Sequence, residues 1–231
     1  LCVNEKEDYC RFKHKGDTLI MASALVPSLF SGEENEALEM LETFQGKHLL
    51  GMAYEPLWPV RDMKEKAFYV VADPYVSLSD GTGIVHTAPA FGEDDARIGR
   101  EHDLPFVQLV NTQGRFVKGT LWEDIFIKDA DPLILEDLTS RGLLQRKAMY
   151  THNYPHCWRC DTPLMYYARA TWFIRMTQIR DELVRNNRSI NWYPENIKNG
   201  RMGNFVENVL DWALSRERYW GTPLPVWLCE E

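Results

Sequence analysis

GTGIVHTAPAFGEDD, running from Gly81 to Asp95, is the densest run of glycine and polar residues in the sequence. Gly81 and Gly83 permit turns and the close approach of a ligand that a side chain would block. The short apolar run after them predicts a strand that delivers His86. Pro89 and Gly92 then turn the chain into Glu93, Asp94 and Asp95. These three acids crowd the first turn of a helix predicted over residues 93–102, where the helix dipole favours anions. A strand end and a helix start joined this tightly set His86 and Asp95 toward one cleft. Histidine can donate or accept a hydrogen bond near neutral pH, and a carboxylate in that cleft suits an ammonium group. No serine or cysteine stands beside His86 to form a covalent triad, and Thr82 or Thr87 would need an activating base. The same residues also fit a plainer reading, with a satisfied strand histidine and aspartates that only cap a helix. GTG lacks the GxGxxG spacing of a dinucleotide loop.

On the N-terminal side, residues 9–14 and 18–24 alternate as strands around the turn signal Lys15-Gly16-Asp17. Residues 35–44 carry Leu38, Leu41 and Phe44 on an acidic background, which predicts a short amphipathic helix closed by Gly46. Strands are predicted over 48–54, 67–72, 83–87 and 106–110. A second helix is predicted over 131–144, with Asp131 as its cap and Pro132 at its first position. Many short strands with a few inserted helices indicate an α+β fold built on a β-barrel-like domain, not alternating βαβ units. Near residue 150 the character changes to a Cys- and Trp-rich segment. It is followed by helices predicted over 175–187 and 204–214, an extended connector over 191–199 and a strand-like Pro-Val-Trp run near the end. The expected division is therefore 1–150, 151–204 and 205–231.

Eight Trp, ten Tyr and ten Phe exclude a disordered chain, because so many aromatic rings need a core. No apolar run approaches the roughly 18 residues of a membrane span, and no secretory leader is recognisable, so a cytoplasmic protein is expected. The net charge of −8 would by itself speak against a nucleic-acid partner. The charge is unevenly placed, however: residues 1–140 hold 13 Lys and Arg against 25 Asp and Glu, and residues 141–231 hold 13 against 9. A change of sign between two regions suggests two different duties.

Five cysteines at irregular spacing do not form a secreted disulfide framework. Cys2 and Cys10 fit core thiols. Cys157 and Cys160, in PHCWRC, form the one CxxC. Three readings stay open: half of a zinc site whose other half lies elsewhere, a redox pair, or two buried thiols.

The 81–95 segment resembles the editing-site motif of class I isoleucyl-tRNA synthetases. YPHCWRCDTPLMYYARATWFI (154–174), NWYPENIKNGRMGNF (191–205) and NVLDWALSRERYWGTPLPVW (208–227) resemble, in family order, the segment after the editing domain, the returning connector and the return to the nucleotide-binding catalytic fold. Valyl- and leucyl-type enzymes carry related insertions, but His86-Thr87-Ala88-Pro89 and PHCWRC look isoleucyl.

The resemblance implies post-transfer proofreading: hydrolysis of valine misattached to the 3′ end of tRNA(Ile), within an enzyme that ligates isoleucine to tRNA using ATP. Asp95 would hold the α-ammonium group and His86 would orient the ester, as the two catalytic residues. Gly81, Thr82, Gly83, Thr87 and Asp94 would shape the substrate pocket, with water as nucleophile and no catalytic metal or other cofactor. The family's threonine-rich peptide, of the form WTTTPWTLP, and its HIGH and KMSKS signatures do not occur in the sequence. The 231 residues are thus expected to be a monomeric piece of a larger enzyme that lacks the ATP-dependent site. The family also pairs this CxxC with one further upstream, so Cys157 and Cys160 would be two of four zinc ligands. The rival readings are a tRNA-docking zinc module without chemistry and an unrelated hydrolase using His86 and Asp95.

Overall fold

The structure, a computed structural model, describes residues 1–30, 38–60, 66–149, 151–216 and 223–229. Two compact units divide the chain between Ala168 and Arg169. Composition alone places the change of character near residue 150.

Unit 1 is built on two small sheets. In the first, β2 (Asp8–His14) lies between β3 (Asp17–Ala22) and β4 (Glu39–Gln45), all antiparallel. The β2–β3 hairpin turns where the sequence predicts, with Lys15 and Gly16 at φ 51° and 93°, the positive pair that matches strand twist. In the second sheet, β1 (Cys2–Val3) lies between β5 (Val71–Ala72) and β6 (Ile84–Val85). Alternation along β1 sends Val3 into a core with Tyr9, Phe12, Met21 and Leu25, and Cys2 into a second core with Val71, Val76 and Ile98. Both β1 side chains are fully buried, so a two-residue strand joins the two cores.

Two helices follow: α2 (Glu93–Glu101) and α3 (Ile127–Ser140), after a short α1 (Val26–Phe30) near the start. Ile98 of α2 is fully buried in the second core. Tyr69 Oη donates to the His102 carbonyl at 2.7 Å, and His102 Nε2 lies 3.3 Å from the Ala72 carbonyl. These contacts hold the end of α2 on β5.

Three expectations are corrected. No closed barrel forms among the described residues: each sheet of unit 1 is open and three-stranded, and β1, β5 and β6 offer only two residues each for pairing. Residues 39–45 are strand β4 instead of a helix, while 35–37 lie outside the described residues. The three-residue apolar spacing there yields to pairing with β2, whose buried edge would otherwise lack partners for its amide groups. Helix α3 begins at Ile127, which puts Pro132 inside it at the loss of one helical hydrogen bond.

Unit 2 holds the two-stranded pair β7 (Phe173–Ile174) and β8 (Trp212–Ala213), with α4 (Arg180–Ser189), α5 (Asn196–Asn199) and α6 (Arg201–Glu207) between them in sequence. The helix predicted over 204–214 stops at Glu207 because Trp212 and Ala213 pair with β7. The predicted connector contains a cis Tyr193–Pro194 bond and the turn of α5. Buried Asn187 ties these parts together, donating to the Lys198 carbonyl and accepting from Trp192 Nε1, both at 2.9 Å. In the strand-like stretch expected near the end, 217–222 lie outside the described residues, and 223–229 form no strand.

Candidate functional site

The loop leading into β6 is pinned to β3. The Ala22 amide donates to the Thr82 carbonyl at 2.9 Å, and Tyr9 Oη donates to the Gly83 carbonyl at 2.6 Å. Gly83 has φ +71°, and a Cβ there would lie 2.5 Å from Ala22 Cβ. Only glycine fits this close approach. Gly81 shares the φ of +71° but faces open space. Thr82 spends its hydroxyl locally, donating to the Ile84 carbonyl at 3.3 Å.

His86 leaves β6 with its side chain exposed. Partial desolvation holds its imidazole below the ordinary histidine value, while Asp95 pulls the other way. Asp95 is the third residue of α2 and is half-buried. Desolvation, and to a lesser degree Asp94, push its carboxyl above the ordinary range; a hydrogen bond from the Ala88 backbone and the nearby His86 oppose this. The Asp95 side chain folds back over Gly92, where an added Cβ would lie 2.5 Å from Oδ2. His86 and Asp95 are thus near enough for each to act on the other's charge. Thr87 Oγ1 is buried without a hydrogen-bond partner among the described residues.

The three acids at the start of α2 differ in environment. Glu93 is exposed. Asp94 is exposed and lies 3.5 Å from Arg97 Nη2. Asp95 has no ion-pair partner among the described residues. The loop between His86 and α2 is held from the far side by Pro89, which packs so tightly on the helix that a Cβ on Gly99 would lie 2.9 Å from it. Ala168 donates its amide to the Ala90 carbonyl at 3.1 Å, and Tyr167 meets Phe91 edge to face.

Sequence reasoning passed over Asp73, Arg97 and Tyr75. Arg97 grips nearly buried Asp73 with both guanidinium ends, at 2.7 and 3.1 Å, and holds its carboxyl below the usual range. Tyr75 Oη is buried without a partner among the described residues. Burial first, with the charges of Cys2, Asp95, Asp94 and Asp73 after it, pushes this hydroxyl up to about 12. Nothing in local spacing marks these residues, because their relation to the site runs across β5 and α2. A cavity of about 370 Å³ lies beside β5, walled by Lys6, Tyr69, Asp73 and His102 among others. Neither His86 nor Asp95 lines it.

Cys157 and Cys160 form a tight knuckle. The Cys157 amide donates to the Thr162 carbonyl at 2.9 Å, and Asp161, at φ 56°, donates to the Cys157 carbonyl at 2.8 Å. Hydrogen bonds from Thr162, and then from Cys157, hold the Cys160 thiol below its ordinary value. Cys160 Sγ lies 3.1 Å from Thr162 Oγ1. Among the described residues, no group of three or more His, Cys, Asp or Glu side chains is placed to hold a metal ion. Two thiols fit half a tetrahedral zinc site and no more.

The family described as tRNA synthetases class I (I, L, M and V) matches residues 4–231. Isoleucine–tRNA ligase of Clostridium acetobutylicum is 53% identical over 231 residues, which are 100% of this chain and 22% of that protein. Isoleucine–tRNA ligase of Thermus thermophilus is 45% identical over 228 residues, 99% of this chain and 21% of that protein. Among solved structures, "The crystal structure of GlLeuRS-CP1" superposes with a TM-score of 0.49 at 13% identity, covering 66% of this chain and 77% of that one. The chain spans about a fifth of the length of the curated relatives it matches.

Proposed function

The chain belongs to the class I tRNA synthetases of the I, L, M and V group, and on that premise we propose that it carries the editing site of an isoleucyl-tRNA synthetase. Its reaction is hydrolysis of the ester in mischarged Val-tRNA(Ile). The observation that carries this reading is Asp95: a half-desolvated carboxylate without a cation partner among the described residues, beside His86. A carboxylate kept in that state is ready for an ammonium group, and the α-ammonium of an aminoacyl ester supplies one.

Discrimination by one methylene is worth only about 1–3 kcal/mol, isoleucine against valine being the standing case, so a second site that admits only the smaller amino acid is required. In this site Asp95 anchors the ammonium and fixes the register of the ester. His86, kept neutral, orients the terminal ribose by a hydrogen bond and limits side-chain size. Gly81, Thr82 and Gly83 shape the wall, Thr87 offers its unspent hydroxyl, and Asp94 borders the mouth. Water attacks the ester carbonyl, assisted by the ribose hydroxyl left free on the tRNA, and the tRNA 3′ oxygen leaves. Positioning, not covalent catalysis, supplies the rate.

In the complete enzyme the partners are tRNA(Ile), ATP and isoleucine, with misactivated valine as the error that is removed. Cys157 and Cys160 would contribute two thiolates to a structural zinc site completed by upstream cysteines. Among the described residues no helix is long and apolar enough to cross a membrane, and we place the activity in the cytoplasm.

The test is deacylation by the full-length enzyme that contains this chain. Val-tRNA(Ile) is cleaved and Ile-tRNA(Ile) is spared; equal cleavage of both, or of neither, overturns the reading.

A further inference from the structure

We infer that Arg97 is a positioning residue for the ammonium anchor, and that Asp73 holds Arg97 in place for that task. The inference rests on the hydrolytic reading above and adds to it the device that separates Asp95 from its neighbour Asp94.

Residues 95 and 97 stand about 200° apart around a helix axis, at about 100° per residue. Arg97 therefore projects from the side of α2 opposite Asp95. On its own side, the guanidinium is held at 2.7 and 3.1 Å by the two oxygens of Asp73, whose side chain is only 7% exposed. Asp73 is itself fixed, since Oδ1 also accepts the Tyr75 amide at 2.8 Å. This fork-to-fork contact sets the rotation of α2 against β5. With that side fixed, the opposite side presents Asp95 to the Ala88 backbone and to His86. Ile98 packs between these two sides against the second core, and Gly99, on the Asp95 side, lies against Pro89.

Arg97 also reaches Asp94 at 3.5 Å and Glu101 at 3.2 Å. Its charge is shared among three carboxylates, none of them Asp95. Asp94 is thereby occupied, while its neighbour in sequence is left for the substrate. Without Arg97, Asp94 and Asp95 would be two adjacent, competing anchors.

The test compares two esters of tRNA(Ile) in the full-length enzyme: the valyl ester and its α-hydroxy analogue, in which a hydroxyl replaces the ammonium group. The wild-type enzyme prefers the amino ester, and Asp95→Asn removes most of that preference. Arg97→Ala is expected to lower the preference about tenfold or more, leaving cleavage of the hydroxy ester and isoleucine charging near wild type. Asp73→Asn, which keeps the shape and one acceptor oxygen, is expected to lower it less, and it carries the test if Arg97→Ala does not fold. If both esters slow equally in the folded variant, Arg97 is merely structural and the inference falls. If Asp95→Asn removes the preference and Arg97→Ala leaves it intact, the inference falls and the hydrolytic reading stands. If the wild-type enzyme shows no cleavage or no preference for the amino ester, both fall together.

Discussion

The Asp95 carboxylate folds back over the α-carbon of Gly92, so that a Cβ at residue 92 would lie 2.5 Å from Oδ2 and 3.1 Å from Cγ. Gly92 has φ −148°, extended backbone that any residue adopts. Its missing side chain serves the position of Asp95, not the backbone. Gly92→Ala should therefore leave stability nearly unchanged, because the obstructed group is a side-chain carboxylate that can swing away. Cleavage of Val-tRNA(Ile) should fall about tenfold to a hundredfold, the scale of a displaced charged hydrogen bond. Thermal melting beside single-turnover deacylation separates the two effects. A Gly92→Ala enzyme that melts early and edits normally would reverse the argument.

Asp95→Asn should trade activity for stability. Desolvation raises the folded-state value of this carboxyl above that of the unfolded chain. The stability linked to its proton is then present at low pH and lost as pH rises through the folded value. At neutral pH the charged form is the unfavourable one, and the amide removes it. The variant should melt about 1–2 °C higher at pH 7, with the gap closing as pH falls toward about 4. Its editing should fall about a hundredfold while isoleucine charging persists. A lower melting temperature at pH 7 would contradict the desolvation argument.

Gly83 and Gly81 offer a paired comparison. Both have φ +71°, so alanine at either position is strained by about 1 kcal/mol. Only at Gly83 does the new methyl group meet a neighbour, Ala22 Cβ at 2.5 Å. Gly83→Ala should cost about 2–4 kcal/mol in urea unfolding and Gly81→Ala about 1 kcal/mol. Equal costs would show that the approach to β3 does not constrain this loop.

Metal analysis of the 231-residue chain by itself should find well under one zinc per molecule, because the proposed site would draw only two of its four ligands, Cys157 and Cys160, from this chain. Full-length enzyme should carry zinc at this knuckle, and Cys160→Ser should lower its content. Stoichiometric zinc in the shorter chain would point to local ligands such as His152 or His156.

Much of the fold was legible where the signal was local. Lys15-Gly16 turns the β2–β3 hairpin, and Glu93, Asp94 and Asp95 open α2, because backbone preference and the helix dipole act within a few residues. The segment that became β4 was not legible. Leu38, Leu41 and Phe44 have helical spacing, and only the partner edge of β2 makes the extended form preferable. The barrel expectation failed for the same reason: strand count is visible along the chain, while closure depends on which edges meet.

From the sequence alone came the family, the 81–95 motif, and His86 and Asp95 as candidate site residues. These depend on residue type and on separations of a few positions. Only the tertiary structure decided that Asp95 is half-buried without an ion-pair partner among the described residues, that Asp94 leans on Arg97, and that Arg97 is held by Asp73. Asp73 and Arg97 are 24 residues apart, and β5 and α2 must pack before their charges can find each other. Charge pairing over such a separation follows from chain folding, and adjacent residues carry no trace of it.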